Sequence, residues 1–185
     1  MLSNGSVQCW GTDSIGSYGF AISTAHFNLV PVNVSGISNA VAVAAGPEYS
    51  CALLSTGSVQ CWGYDSNGPL GNGSATDGSV PVTLPGVSNA IALANTCALL
   101  STGSIQCWAY TYNGYITGST DNVSVITNAV AVTNTCALLN TGSIQCWGDN
   151  YFGQLGIGAS GMSWVQILVF PCDHAAMGSD WGTAS

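Results

Sequence analysis

The sequence predicts an all-β fold built from repeated units of about four short antiparallel strands, and three observations lead there. The stretch Cys51-Ala-Leu-Leu-Ser-Thr-Gly-Ser-Val-Gln-Cys61-Trp-Gly recurs at Cys97 to Trp108 and at Cys136 to Gly148. Within each copy the two cysteines stand ten residues apart. No window shows a helical period with caps at its ends.

Each copy reads as a β-hairpin. Runs rich in Leu, Val and Ile flank Ser-Thr-Gly, or Asn-Thr-Gly at 140 to 142, and the glycine supplies the positive φ of a three-residue loop. Centring the turn on Thr56 pairs Leu54 with Ser58, Leu53 with Val59, Ala52 with Gln60 and Cys51 with Cys61. Alternation from a hydrogen-bonded loop-closing pair makes the cysteine pair non-hydrogen-bonded, with Cα atoms about 4.5 Å apart. That distance suits a disulfide. Cross-strand bonds Cys51–Cys61, Cys97–Cys107 and Cys136–Cys146 follow, each closing a short loop and stabilising by up to roughly 3 kcal/mol.

The chain of 185 residues is long enough for one domain with a real core, and its 24 glycines suit a turn-rich protein. It contains no Lys or Arg, where average usage would supply on the order of twenty. Its eight acids leave a formal charge of -8, so no ion pair to Lys or Arg can form. Eight cysteines in paired register, without Cys-x-x-Cys spacing, indicate an oxidising and therefore extracellular or cell-surface location. Asn-x-Ser sequons at Asn4, Asn33, Asn72 and Asn122 are compatible with glycosylation in a eukaryotic source. No basic segment leads into an apolar stretch at the N-terminal residues, and no run approaches the ~18 apolar residues of a membrane-spanning helix.

In chain order, residues 1 to 11 match the second half of the hairpin, with Leu2 standing where Leu54 does. The expected partner of Cys9 would precede the first residue. After each Cys-Trp comes a turn-rich segment with Asp13, Asp65 or Asn150 three residues past the tryptophan and three before a glycine. An Asx side chain there can cap nearby backbone amides. Calcium binding is the sharper alternative, but each turn offers at most one or two carboxylates and no EF-hand pattern is present. Two strands follow in each unit, such as Leu29 to Val34 or Val80 to Leu84, then Asn39 to Ala44, Asn89 to Leu93 or Asn128 to Val132. Small and β-branched residues alternate in the second of these, giving flat surfaces suited to burial on both sides.

The units run roughly 1–50, 51–96, 97–135 and 136–185 within a single repeat domain. Residues Phe170 to Gly182 read as a last hairpin that kept its first cysteine and lost its second. The first terminal piece thus holds only a second cysteine and the last only a first, the arrangement of a ring whose N-terminal strand completes the last unit. A bond Cys9–Cys172 is expected on that ground.

The unit Ala-Val-Ala-Ala-Gly…Cys-Ala-Leu-Leu-Ser-Thr-Gly-Ser-Val-Gln-Cys-Trp-Gly…Asp/Asn-x-x-Gly…Leu-Gly…Pro-Val resembles the regulator of chromosome condensation repeat, in the cysteine-bearing form of secreted proteins. The resemblance covers essentially the whole chain. It is strongest at 39–108 and 128–156, and weakest at 109–121 and after 157. It implies a β-propeller, whose blades of four antiparallel strands surround a channel. Family members usually have seven blades. The four units counted here imply either a small closed ring or a partial propeller that assembles with copies of itself; a parallel β-solenoid is the rival fold. The nuclear founder of the family is a nucleotide-exchange factor that contacts chromatin, and another relative inhibits β-lactamases. No motif for either role can be carried over to this sequence.

Chemistry is thinly represented. Gly156-Ile-Gly158-Ala-Ser-Gly161 matches a dinucleotide fingerprint literally, without the strand-turn-helix context that would give it meaning. His26 and His174 stand far apart, and no nucleophile elbow accompanies Asp173-His174. No catalytic residue, metal ligand or cofactor site is expected. Trp10, Trp62, Trp108 and Trp147 occupy one repeat position and are expected to pack between blades. Tyr64, Tyr110, Tyr112, Tyr115, Tyr151 and Phe152 fall in the variable loops and are the candidate recognition residues.

Two functions remain. One is an extracellular, non-catalytic binding module that presents propeller loops to a protein or glycan. The other is a structural protein that self-assembles into filaments or sheets through propeller edges, which a surface without lysine does little to block. Nucleic acid is excluded as a partner because the chain lacks the cations that supply most of that affinity. Membrane insertion is not expected.

Overall fold

The computed structural model describes residues 1–12, 27–46, 48–65, 70, 78–108, 121–122, 126–147, 150–153, 155 and 170–171. These residues form fourteen short strands and no helix. A two-stranded sheet joins β1 (Gln8–Thr12) to β2 (Phe27–Asn33). A four-stranded sheet contains β3 (Ala40–Ala45), β4 (Tyr49–Leu54), β5 (Val59–Gly63) and β6 (Gly78–Thr83). The next contains β7 (Ala90–Ala94), β8 (Cys97–Leu100), β9 (Ile105–Cys107) and β10 (Asp121–Asn122). The last contains β11 (Ala129–Val132), β12 (Cys136–Leu139), β13 (Ser143–Cys146) and β14 (Phe170–Pro171). All pairings are antiparallel between sequence neighbours, which excludes the solenoid.

The hairpin turn sets the register. Cys51 stands opposite Cys61, Ala52 opposite Gln60 and Leu53 opposite Val59. The Leu54 amide donates to the Ser58 carbonyl at 2.9 Å and the Gly57 amide to the Leu54 carbonyl at 2.9 Å, closing the three-residue loop. Gly57 adopts φ 80°, a left-handed conformation that a side chain would strain. The cysteine pairs come within 4.1, 4.0 and 3.9 Å between Cα atoms, and all three hairpin disulfides are formed.

Because side chains alternate along a strand, each sheet has two distinct faces. Cys51, Leu53, Val59 and Cys61 point toward the following sheet and meet Val87, Ala90, Ala98 and Trp108 in one apolar cluster. Ala52, Leu54 and Trp62 point the other way, toward Val7 and Val34 of the preceding sheet. Cys97, Leu99, Ile105 and Cys107 repeat the forward contact against Ala129, Ala137 and Leu139. The core is therefore three successive sheet-on-sheet seams, each joining the leading face of one sheet to the trailing face of the next. The turns are locked across the same seams: the Gly5, Gly57 and Gly103 carbonyls accept from the amides of Ala40, Ala90 and Ala129 at 2.9, 3.0 and 3.0 Å.

The strand boundaries bear on three readings of the sequence. The sheets begin at Ala40, Ala90 and Ala129, one strand ahead of the hairpins from which the units were counted. Phe170 and Pro171 pair with Ile144 and Ser143 along the outer edge of β13, just as Leu84 meets Val59 two repeats earlier, and the rest of the hairpin expected over Phe170 to Gly182 lies outside the described residues. Cys172 lies outside the described residues, as does any bond from it to Cys9. The alternating strands β3, β7 and β11 are not enclosed on both sides: Val41, Ile91 and Val130 are exposed. They follow the first residue of each strand at a register irregularity, which turns them away from the seams.

Candidate functional site

The loop after β13 is the best-defined candidate surface. Asn150 is fully buried, and its side-chain Oδ1 accepts from the Leu155 amide at 2.9 Å. Asp65 does the same for the Leu70 amide at 2.9 Å after β5. The Asx position therefore works as a backbone cap, as its spacing from the tryptophan suggests. Among the described residues no group of three or more His, Cys, Asp or Glu side chains could hold a metal ion.

On the capped loop, Tyr151 and Phe152 project outward at 60% and 84% exposure. Their ring centroids lie 4.9 Å apart at an interplanar angle of 87°. Edge-to-face contact of this kind restrains both rings. Tyr64, the counterpart loop aromatic after β5, is half-buried and its amide donates to the Glu48 carbonyl at 2.9 Å. It presents less surface than expected. Tyr110, Tyr112 and Tyr115 lie outside the described residues. Asn4 and Asn33 are exposed; Asn4 Oδ1 accepts from the Ser6 amide at 3.0 Å, and Asn33 Oδ1 accepts from Gln8 at 3.0 Å. Asn122 lies in β10, and Asn72 is outside the described residues.

A tyrosine in the second seam was not anticipated as functional or structural. Tyr49 is buried in β4, and its hydroxyl donates to Asn95 Oδ1 in the turn between β7 and β8. Burial pushes the phenol up to about 12, with the Asn95 contact acting in the opposite sense. This ties two adjacent sheets at the end opposite the hairpin turns.

The tryptophans divide. Trp62 and Trp108 are fully enclosed on the trailing faces of their sheets, and Trp147 is half-buried against the preceding seam. Trp10 departs from expectation: it is 60% exposed. Its strand β1 pairs with β2, and no sheet among the described residues covers that trailing face.

The repeat model described as "Regulator of chromosome condensation (RCC1) repeat" matches residues 40–68 and 133–154. The two matched segments are similar to that repeat. The fold is shared with solved structures. Human WBSCR16 superimposes with a TM-score of 0.73 and 21% identity, over 92% of this chain and 50% of that one. Yeast RCC1 (Prp20), solved bound to Kap60, gives 0.69 and 20% identity, over 84% and 42%. Prp20p from Saccharomyces cerevisiae, in a study that also treats its binding to Gsp1p and histones, gives 0.63 and 19% identity, over 86% and 45%. The chain spans about half the length of the solved structures it matches, and its described sheets form a partial propeller rather than a closed barrel.

Proposed function

We propose that the chain is an extracellular, non-catalytic interaction module whose loops after the Cys-Trp strands hold a protein or glycan partner. The observation that carries this reading is the Tyr151–Phe152 pair. Two mutually restrained aromatic rings kept in solvent on a capped loop supply contact area at little conformational cost. The proteins bound by Prp20, namely Kap60, Gsp1p and histones, support a protein as the class of partner without indicating which. Lacking Lys and Arg, the surface holds its partner through aromatic, amide and hydroxyl groups. Three cross-strand disulfides support an oxidising location. Exposed Asn4 and Asn33 are the sequons best placed to carry glycans.

The test is a binding screen of the full chain against glycan arrays and a panel of secreted proteins, repeated with Tyr151→Ala/Phe152→Ala. Loss of a specific signal at unchanged thermal stability supports the loop surface. Retention of every signal by the double variant would remove it. A second reading is self-assembly through propeller edges, which a chain without Lys or Arg does little to block.

A further inference from the structure

The two ends of the sheets differ in charge. At one end lie the hairpin turns 55–58, 101–104 and 140–143 and the links 35–39, 85–89 and 126–128 that lead into the next sheet. These segments consist of Ser, Thr, Asn, Gly and apolar residues, with no Asp, Glu or His. The acids that fall among the described residues all stand at the other end. Glu48 is exposed in the turn between β3 and β4, Asp65 follows β5, and Asp121 opens β10 opposite Cys107. The Tyr64 amide bond to the Glu48 carbonyl, at 2.9 Å, ties the loop after β5 to the β3–β4 turn at that end.

Tyr151 and Phe152 belong to this acidic end, because β13 runs toward it from its hairpin turn. In the sequence Asp149 precedes the pair by two residues. With the rings at 87°, the edge of one covers a single face of the other, and exposures of 60% and 84% leave the remaining faces largely in water. An aromatic face is the negative pole of the ring quadrupole and attracts a lysine ammonium or an arginine guanidinium. In an ordinary sequence a neighbouring Lys or Arg stem can lie over such a ring. This sequence has none to offer.

We propose that the Tyr151–Phe152 corner receives a lysine or arginine side chain of a basic polypeptide partner. The inference rests on the loop-surface reading above and names the chemistry of the partner. Charge complementarity selects it: a formal charge of -8 draws a cation toward the chain, and the ring faces hold it at contact. A polypeptide is the source because two rings meeting at 87° form an open corner rather than a cage. A free ammonium ion would stay mostly hydrated there, whereas a side chain arrives with a backbone that extends the contact along the loop. A neutral glycan would use the ring faces without drawing on the charge, and an anionic one would be repelled.

The test uses the full chain and a blocked heptapeptide of alternating glycine and arginine, with a second peptide in which citrulline replaces each arginine and removes its charge at nearly the same shape. Affinity is read by NMR titration at low ionic strength, and direct contact by ring-current shifts of the arginine side-chain protons. The unmodified chain is expected to bind the arginine peptide, to move those protons upfield and to prefer this peptide over its citrulline form. That comparison needs no variant. Tyr151→Leu/Phe152→Leu keeps apolar side chains but removes the rings. It should weaken arginine-peptide binding about five- to thirtyfold, the product of two exposed cation–π contacts, and abolish the upfield shifts. Equal binding of the two peptides, or an arginine peptide bound as tightly by the leucine variant, would overturn the cation. The loop surface then stands or falls by its own screen: a partner lost with Tyr151→Ala/Phe152→Ala keeps that surface, and retention of every partner removes both. Free arginine amide bound as tightly as the peptide would overturn a polypeptide as the source.

Discussion

The β3–β6 and β11–β14 sheets carry nearly the same hairpin, Cys-Ala-Leu-Leu followed by a turn and Gln-Cys-Trp, yet only the first is enclosed on both faces. Leu53 and Leu138 occupy one repeat position and differ in burial because a following sheet covers one and none among the described residues covers the other. The motif specifies the hairpin. Its place in the stack specifies how much that hairpin contributes to stability. In a repeat fold, each unit gains as much from its neighbours as from its own strands.

Paired substitutions at equivalent positions sharpen this contrast, and the largest effect is expected in the core. Leu53→Ala should cost about 2–5 kcal/mol in denaturant unfolding, the range for truncating a packed leucine. Leu138→Ala, measured at concentrations where the chain is monomeric, should cost less than about 1 kcal/mol, since much of its side chain is already hydrated. Equal costs would mean that the last sheet is covered after all.

Replacing Cys51 and Cys61 together by alanine should cost about 3 kcal/mol from the released loop, with a further loss from the buried cavity. Replacing Cys136 and Cys146 should cost only the loop contribution. Differential scanning calorimetry under non-reducing conditions measures both, and a reversed order would contradict the burial contrast.

Gly57→Ala should cost more than Gly142→Ala. Both force an alanine into the left-handed region at about 1–2 kcal/mol, but only Gly57 also meets the backbone of Asn89. Thermal midpoints of the two variants give the difference directly.

The smallest effect concerns Tyr49. Its phenol stays protonated in the fold up to about 12, whereas the unfolded chain releases the proton near the ordinary value of 10.0. Between those values the folded state binds more protons, so the stability linked to Tyr49 is intact below pH 10 and declines as pH rises toward 12. Tyr49→Phe should flatten that alkaline decline. It should also cost about 1 kcal/mol at neutral pH, where Asn95 Oδ1 loses its donor. Unchanged alkaline unfolding in this variant would show that the seam does not hold the phenol.

The hairpins, their register, the three disulfides and the Asx caps were all legible in the sequence, because each depends on residues close in the chain. A ten-residue cysteine spacing around a Ser-Thr-Gly turn leaves little freedom of pairing. Tyr151 and Phe152 were legible as loop aromatics for the same reason. The half-buried state of Tyr64 was not, because it depends on Glu48 across a different turn. Trp10 misled because its local sequence equals that of Trp62, and nothing near it in the chain records that no sheet among the described residues covers it.

The sequence by itself determined the repeat, the two chemically distinct faces of every sheet and the covalent pairs that pin the hairpins, since strand alternation and turn chemistry are local properties. Only the tertiary structure decided which faces are covered, where Phe170 and Pro171 pair, and that Tyr49 reaches Asn95. Those outcomes depend on which sheet stands beside which, and neighbours in a stack are fixed by packing between distant segments.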